Sequence, residues 1–276
     1  TDSSTVVALM ARASSKPVKT FSIAFDHDDF NEAHYARRVA KKFGTDHHEL
    51  VVEPDILATV EKLTSSLEEP FGDSSMLPTY FVSCMARKYV TVALSGDGGD
   101  EIFAGYDRYA INLRRDKFRN VPVWARRAYR ERIYPWLPKS TLGRRLSYAM
   151  SLPWRERYVD SVAFIPLFER EAALLSDDFR EHLHDGAPES AMYQYFDQAP
   201  ATDPVDQLLY VDTKTYLVGD ILTKVDRMSM AASLEVRVPI LDHVFAEWVT
   251  GLSVEWKLRG NEQKYILRKL AERVGV

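Results

Sequence analysis

Apolar residues along the first hundred positions follow two periods in turn, one helical and one extended. Val6, Val7, Leu9 and Met10 recur at helical spacing and predict a helix from about Ser3 to Ala13. The apolar run from Val18 to Phe25 predicts a strand. Asn31 suits the N-cap of a second helix, which sets Ala33, Ala36, Val39, Ala40 and Phe43 on one face and stops at Gly44. A strand from His48 to Val52, a helix opening near Pro54 and a helix from about Met76 to Lys88 follow. Tyr89 to Leu94 is then short, apolar and β-branched, as a buried parallel strand should be. Alternation of this kind predicts an α/β fold, a parallel twisted sheet flanked by helices, and a chain that opens on a helix implies a missing first strand. Beyond Tyr106 the strand patterns vanish, and helical spacing runs to the end between breaks at Pro122, Pro135, Pro138, Pro153, Pro166, Pro188, Pro200 and Pro204. The expected organisation is an α/β core over residues 1–106 and a mainly helical half over 107–276, packed on it.

Composition alters this picture in three places. With 276 residues, 46% of them hydrophobic, the chain can fill a substantial core. Its net charge of -4 argues against binding nucleic acid along its whole length, although residues 108–145 hold twelve Lys/Arg against two Asp/Glu, so the rest sums to -14. That basic segment, interleaved with Trp124, Tyr129, Tyr134 and Trp136, has the ingredients of a nucleic-acid surface. A helical excursion whose charges are solvated or dock a partner is the reading most charge runs support. Cys84 cannot form an internal disulfide and sits at helical spacing as a core residue, which suits a reducing cytoplasm. No apolar run is long enough for a membrane span, and no signal peptide is visible. Thr1 in place of Met, and an end just after an amphipathic helix, suggest a fragment cut on both sides.

The candidate chemistry centres on Ala93-Leu94-Ser95-Gly96-Asp97-Gly98-Gly99-Asp100-Glu101, where an apolar strand meets three glycines and several carboxylates. Glycines let a backbone turn sharply and approach a ligand, and ligands in open α/β sheets bind at the carboxyl ends of strands. Asp2-Ser3-Ser4, at a helix start, offers hydroxyls, free N–H groups and a positive helix dipole, which suit a phosphate or serve as a plain N-cap. A carboxylate among phosphates implies a metal between them. His47 and His48 are adjacent in a strand, so their side chains leave opposite faces and a structural role is favoured over a metal. Glu235 and Arg237 read as a buried ion pair or as substrate contacts. Asp220, Lys224, Asp226 and Arg227 read as a holder for the amino and carboxylate groups of an amino acid, or as a solvated helix face.

Several of these stretches together resemble a known family. Asp2-Ser3-Ser4 is similar to the end of the pyrophosphate loop of N-type ATP pyrophosphatases, whose Ser-Gly-Gly part is absent. The blocks Phe21–Phe25, Gly44–Glu49, Glu69–Ser75, Leu94–Glu101 with Phe103, Gly105 and Tyr106, and Asp226–Ala231 with Ser233–Asp242 resemble, in order, the synthetase domain of glutamine-hydrolysing asparagine synthetases. The resemblance implies an adenine nucleotide alpha hydrolase-like fold and activation of a carboxylate, most simply aspartate, by ATP. In that family the carboxylate attacks the α-phosphate, pyrophosphate leaves, and ammonia from a glutaminase domain displaces AMP from the acyl-adenylate. It implies Mg2+ at Asp2 and Asp100, nucleotide contacts at Asp2, Ser3, Ser4, Ser95, Gly96 and Ile23, and a role for Asp97 in forming or attacking the intermediate. Asp97 is shorter than the Glu of some relatives, and Ala24 stands where Gly is common. The family's catalytic lysine belongs to a loop after the Lys264–Arg268 helix, beyond this sequence, and neither Lys264 nor Lys257 is expected to replace it. Relatives that amidate other acids or close β-lactams, and a non-catalytic nucleotide-binding module, are the competing readings. A homodimer is compatible with all of them.

Overall fold

A computed structural model describes residues 1–24, 33–51, 56–115, 121–138, 141, 143–165, 176, 178 and 189–276. Phe25, Asn31, Val52, Pro54, Pro166 and Pro188, each assigned above to an element or a break, lie outside the described residues. The chain forms two units, one of Thr1–Gly105 with Thr213–Val276 and one of Tyr106–Asp212. The first boundary falls where the strand patterns vanish, but residues 213–276 return to the first unit instead of staying with the second.

The first unit opens with α1 (Asp2–Ala13), β1 (Lys19–Ala24), α2 (Ala33–Phe43), β2 (Asp46–Val51), α3 (Ile56–Thr64), α4 (Met76–Arg87), β3 (Val92–Leu94) and the single turn α5 (Gly99–Ile102). The second unit follows with α6 (Asp107–Arg115), α7 (Val123–Ala128), a π-helical turn over Tyr129–Ile133, α8 (Arg144–Ser151), α9 (Trp154–Val162) and α10 (Ser190–Gln198), and α11 (Pro204–Lys214) leads out of it. The first unit resumes with a π-helical turn over Leu217–Leu222, then α12 (Thr223–Ala231), β4 (Glu235–Arg237), α13 (His243–Thr250), α14 (Val254–Lys257), β5 (Leu258–Arg259), β6 (Glu262–Gln263) and α15 (Tyr265–Val274).

This is a mixed α/β architecture with small parallel sheets and a largely helical C-terminal half. The single sheet expected from the alternating pattern is, among the described residues, three two-stranded ones: β1 with β2, β3 with β4 and β5 with β6. The first two are parallel, in registers that set Lys19 opposite Asp46 and Val92 opposite Glu235, and the third is antiparallel. Strands therefore occur beyond Tyr106, contrary to the sequence pattern. The stretch Glu235-Val236-Arg237, extended before Pro239 as its sequence suggests, carries one apolar side chain and becomes strand β4 by pairing with β3. β3 is shorter than Tyr89–Leu94, since the Tyr89 N–H still bonds to the Ala86 carbonyl at 2.9 Å in the turn after α4. Nor is β3 buried: Val92 and Leu94 are 40% and 39% exposed.

Two apolar clusters fix the first unit. Val6 of α1, Ile102 and Phe103 after the Gly-rich loop, Ile240, Val249 and Leu267 of α15 form one. Leu63, Met76, Tyr80 and Met228 form the other, which joins α4 to α12, with Cys84 packed against it as expected. Each fully buried side chain of this size contributes about 1.5–3 kcal/mol. Among the described residues no helix is long and apolar enough to cross a membrane.

The second unit is built around tyrosines. Tyr134, Tyr148 and Leu152 cluster, and Tyr109 and Tyr158 are completely buried. Asp212, also inaccessible, accepts through Oδ2 from the hydroxyls of both and from Arg108 at 2.7 Å. Burial lowers the affinity of Arg108 for its proton, but the charge of Asp212 and the two tyrosine oxygens more than offset this, so Arg108 stays charged. Burial, with the charge of Asp212 behind it, pushes both tyrosines well above their ordinary value. Much of the basic segment is likewise partnered inside the unit: Arg127 with Glu131 at 2.7 Å, Arg130 with Glu156 at 3.3 Å, and Arg144 over the Tyr134 ring at 4.5 Å.

Candidate nucleotide and carboxylate site

The Ser95–Glu101 loop starts where β3 ends, with the Ser95 N–H bonded to the Arg237 carbonyl of β4 at 3.0 Å. Gly98 turns the chain in the left-handed region, φ 81°, which glycine tolerates without strain. Gly96 serves a different purpose, close approach. A Cβ there would lie 2.5 Å from the Ser3 backbone nitrogen and 2.7 Å from its hydroxyl. At Gly99 it would lie 2.8 Å from the Asp2 carboxylate. The loop and the first turn of α1 are thus in direct contact, and the Gly-rich acidic loop and the Asp2-Ser3-Ser4 stretch form one locus.

Lys264 closes that locus. Its backbone N–H donates to the Phe103 carbonyl at 3.1 Å, and it holds φ 52° at the start of α15, a conformation uncommon for a residue with a side chain. The ammonium donates to the Asp2 carboxylate and stands 2.8 Å from Asp100 Oδ1. All three side chains are largely withdrawn from solvent, at 11%, 13% and 34% exposure for Lys264, Asp2 and Asp100. One ammonium between two carboxylates leaves a unit of negative charge uncompensated. Asp2 Oδ1 is also buried without a hydrogen-bond partner, as is the hydroxyl of Ser95. These orphaned acceptors fit a divalent cation and a polyanion better than they fit the protein alone. No group of three or more metal-ligating side chains occurs among the described residues, so oxygen atoms of a ligand would have to complete any coordination shell.

The remaining candidates divide. Asp97 and Ser3 line a cavity with Ser95. Ile23 lies in β1 opposite Leu50, and Ser4 follows Ser3 within the first turn of α1. The four residues grouped near position 224 do not form one holder. Lys224 is buried and donates to Asp73 Oδ2 at 2.6 Å and to the Ser75 hydroxyl at 2.8 Å. Burial raises the Asp73 carboxyl, and the bonds from Lys224 and from the Ser75 N–H and hydroxyl more than offset it, leaving it below its ordinary value. Arg227 instead reaches Glu68 at 2.7 Å, Asp226 is exposed, and Asp220 sits in the π-helical turn before α12. Glu235 and Arg237 bond to each other at 2.6 Å with both side chains more than half exposed, so neither is part of a buried pair.

Lys264 is set aside on sequence grounds, and nothing local to it reports a partner 262 positions away.

The histidines behave as the strand alternation requires. His47 Nδ1 and Nε2 meet the Thr20 and Ser22 hydroxyls at 3.0 and 3.3 Å, whereas His48 stacks on Tyr89 and Phe21 on the other face. Burial lowers the proton affinity of His47, against the opposing pull of Glu49. A folded-state value below the ordinary 6.5 means that the unfolded chain binds more protons, so this residue costs stability as pH falls through and below about 6.5. His47→Gln is expected to flatten that acid-side decline in urea midpoints, and an unchanged slope would refute the assignment.

An acidic Gly-rich loop at the end of a short parallel strand, pressed against the N-terminus of the first helix, defines a mixed α/β protein with its candidate site at the strand ends. The asparagine synthase family matches residues 1–275. The chain belongs to that family. Glutamine-hydrolysing asparagine synthetase 1 of Bacillus subtilis is 30% identical over 272 residues, which cover 98% of this chain and 42% of that protein. Asparagine synthetase 3 of the same organism is 27% identical over 296 residues, with 98% and 41% covered. Amidase chyE of Penicillium rubens is 25% identical over 271 residues, with 91% and 40% covered. The chain therefore spans about two fifths of the length of these curated relatives.

Proposed function

We propose that this chain is the synthetase part of an ATP-dependent ligase that amidates a carboxylate, most simply aspartate to asparagine, through an acyl-adenylate. The observation that carries the reading is the contact of Asp2 and Ser3 with Gly96 and Gly99, which gathers an anion-binding helix start and two carboxylates around one point. Ser3, Ser4 and the free N–H groups of α1 hold the pyrophosphate portion of ATP. Ser95 and Gly96 meet the nucleotide, with Ile23 beside the adenine. Asp97 faces the reacting carbonyl. Asp2 and Asp100 are the residues that would hold Mg2+, which when bound supplies positive charge to the leaving pyrophosphate. Lys264 adds a fixed positive charge at the same place, and Lys224 enters as a positioning residue that braces Asp73 and Ser75. Asp220, Asp226 and Arg227 are kept as individual candidates for contact with the substrate.

In this reading the substrate carboxylate attacks the α-phosphate, the bond to pyrophosphate breaks, and ammonia then attacks the acyl carbon and expels AMP. The names of the Bacillus relatives, which specify glutamine hydrolysis, support a glutaminase domain as the ammonia source. The two parallel pairs support an adenine nucleotide alpha hydrolase-like sheet. The single cysteine suits a cytoplasmic location. In the full-length enzyme, whose catalytic lysine the resemblance places beyond this sequence, labelled pyrophosphate is expected to exchange into ATP only when aspartate is added, and absence of exchange across a panel of acids would remove the reading. The match to a fungal amidase favours a second reading, the same chemistry on another acid. Mass spectrometry of the trapped adenylate separates the two.

A further inference from the structure

His47 is tied into β1 by both of its ring nitrogens. It lies on β2 opposite Thr20, and Glu49 lies opposite Ser22. Nδ1 meets the Thr20 hydroxyl at 3.0 Å and Nε2 the Ser22 hydroxyl at 3.3 Å, so one imidazole spans two successive positions on one face of the neighbouring strand. Thr20 is held a second time, by the Thr45 hydroxyl at 2.8 Å. On the same face Glu49 stands 3.9 Å from Nε2 and is itself fixed by Arg37 of α2, at 2.5 and 2.8 Å. Burial holds His47 below its ordinary value, so the ring is uncharged at neutral pH, with one nitrogen donating and the other accepting.

Two uses of a histidine among hydroxyls do not fit this arrangement. A nucleophile–base pair needs the far nitrogen of the ring oriented by a carboxylate. Here Nδ1 is taken by Thr20, and Glu49 lies beside the nitrogen that Ser22 already meets. A metal site needs several converging ligands, and no group of three occurs among the described residues. What the network does supply is mechanical: a satisfied set of polar bonds fixes one register and one pleat of β1.

The place it fixes is the end of the strand. β1 closes with Ser22, Ile23 and Ala24, and ligands in open α/β sheets are received at the carboxyl ends of strands. Side chains alternate along a strand, so Ser22 is held from the α2 face while Ile23 leaves by the other, the face on which Phe21 meets His48 and Tyr89. Among the described residues the bond from Ser22 to His47 is the last side-chain tether of β1 before that end.

We propose that His47 is a positioning residue for nucleotide binding: through the Ser22 hydroxyl it holds the carboxyl end of β1, and with it Ile23, where the adenine is received. The inference rests on the reading of Ile23 given above. His47 touches no substrate in it, and its effect falls on the affinity for ATP and leaves the chemical step alone.

Equilibrium dialysis of ATP with the full-length enzyme in the presence of Mg2+ tests this. His47→Asn, whose amide reaches only the Nδ1 position, is expected to raise the Kd for ATP about three- to tenfold, the factor of one net side-chain hydrogen bond. The KM for ATP in pyrophosphate exchange is expected to rise equally, with the plateau rate unchanged. His47→Gln, whose amide reaches the Nε2 position, is expected to restore the parent Kd, although both variants lose similar stability to urea. Ser22→Ala is expected to match His47→Asn, and the double variant to add nothing to either. Equal Kd shifts in the Asn and Gln variants, additive effects of Ser22 and His47, or a lower plateau rate at unchanged Kd would each overturn the proposal. A parent enzyme that does not bind ATP would overturn the nucleotide reading itself, which tells that failure apart from this one.

Discussion

Asp212→Ala is expected to lower the stability of the second unit by about 3–5 kcal/mol, the cost typical of removing one partner from a buried ion pair. Asp212 is completely inaccessible, and its Oδ2 gathers Arg108 and the hydroxyls of Tyr109 and Tyr158. Truncation removes the acceptor from all three and leaves the guanidinium without its carboxylate. Tyr158 stays within reach of Arg108, at 3.1 Å, as a neutral partner, and the Tyr106 ring lies 4.0 Å from the guanidinium. Asp212→Asn keeps an acceptor for the tyrosines while losing the charge, and is expected to cost less, about 1.5–3 kcal/mol. Urea unfolding followed by tyrosine fluorescence reads both. A loss below about 1 kcal/mol for the alanine variant would show that the network does not support the unit.

In the full-length enzyme Asp100→Asn is expected to reduce pyrophosphate exchange about 100- to 1000-fold with little change in circular dichroism, the range typical of removing one electrostatic stabiliser of a transition state. The replacement keeps the shape of the side chain and removes its charge. Two consequences meet at one point. Lys264 loses one of its two carboxylates, and, on the proposed reading, one of the two carboxylates that would hold a divalent cation is gone. Raising Mg2+ is expected to recover part of the loss in Asp100→Asn and none in a variant defective only in nucleotide contacts. Exchange within tenfold of the parent would sink the assignment of Asp100 to the metal.

The helices of the first hundred residues are legible in sequence because each has its own apolar stripe and its own punctuation. Gly44, at φ 62°, stops α2 where the glycine predicts. β1 and β2 are legible for the same reason, to within a residue or two at each end. β4 is not. Its three residues take their extended state from Val92–Leu94, which lie far away in sequence, and no local pattern encodes that. The candidate site divides along the same line. Asp2 and Asp100 are visible as the acidic members of two glycine- or serine-rich stretches, and their carboxylates do meet at Lys264. The lysine itself carries no local mark, since a left-handed backbone at a non-glycine residue is a consequence of tertiary fit. Charge clusters mislead for a related reason. Lys224, Asp226 and Arg227 are neighbours in sequence, but Lys224 and Arg227, one helical turn apart on the same face, are taken up by Asp73 and Glu68 of the protein itself, and Asp226 is left exposed.

A chain whose first unit is interrupted by its second also has an order of assembly built into it. Lys224 and Asp73 are 151 positions apart, and Lys264 and Asp2 are 262 apart. During synthesis, α1 through α5 leave the ribosome long before α12, β4 and α15 exist to cover them. The Met76–Tyr80 face of α4 and the edge of β3 then wait uncovered while the tyrosine-rich unit is made. Entropy alone penalises such closure only mildly, by about 0.6 kcal/mol for each doubling of the loop. The kinetic burden is heavier, because contacts this remote form late and exposed strand edges invite other chains. A nascent chain stalled before α12 is the species a chaperone would hold longest.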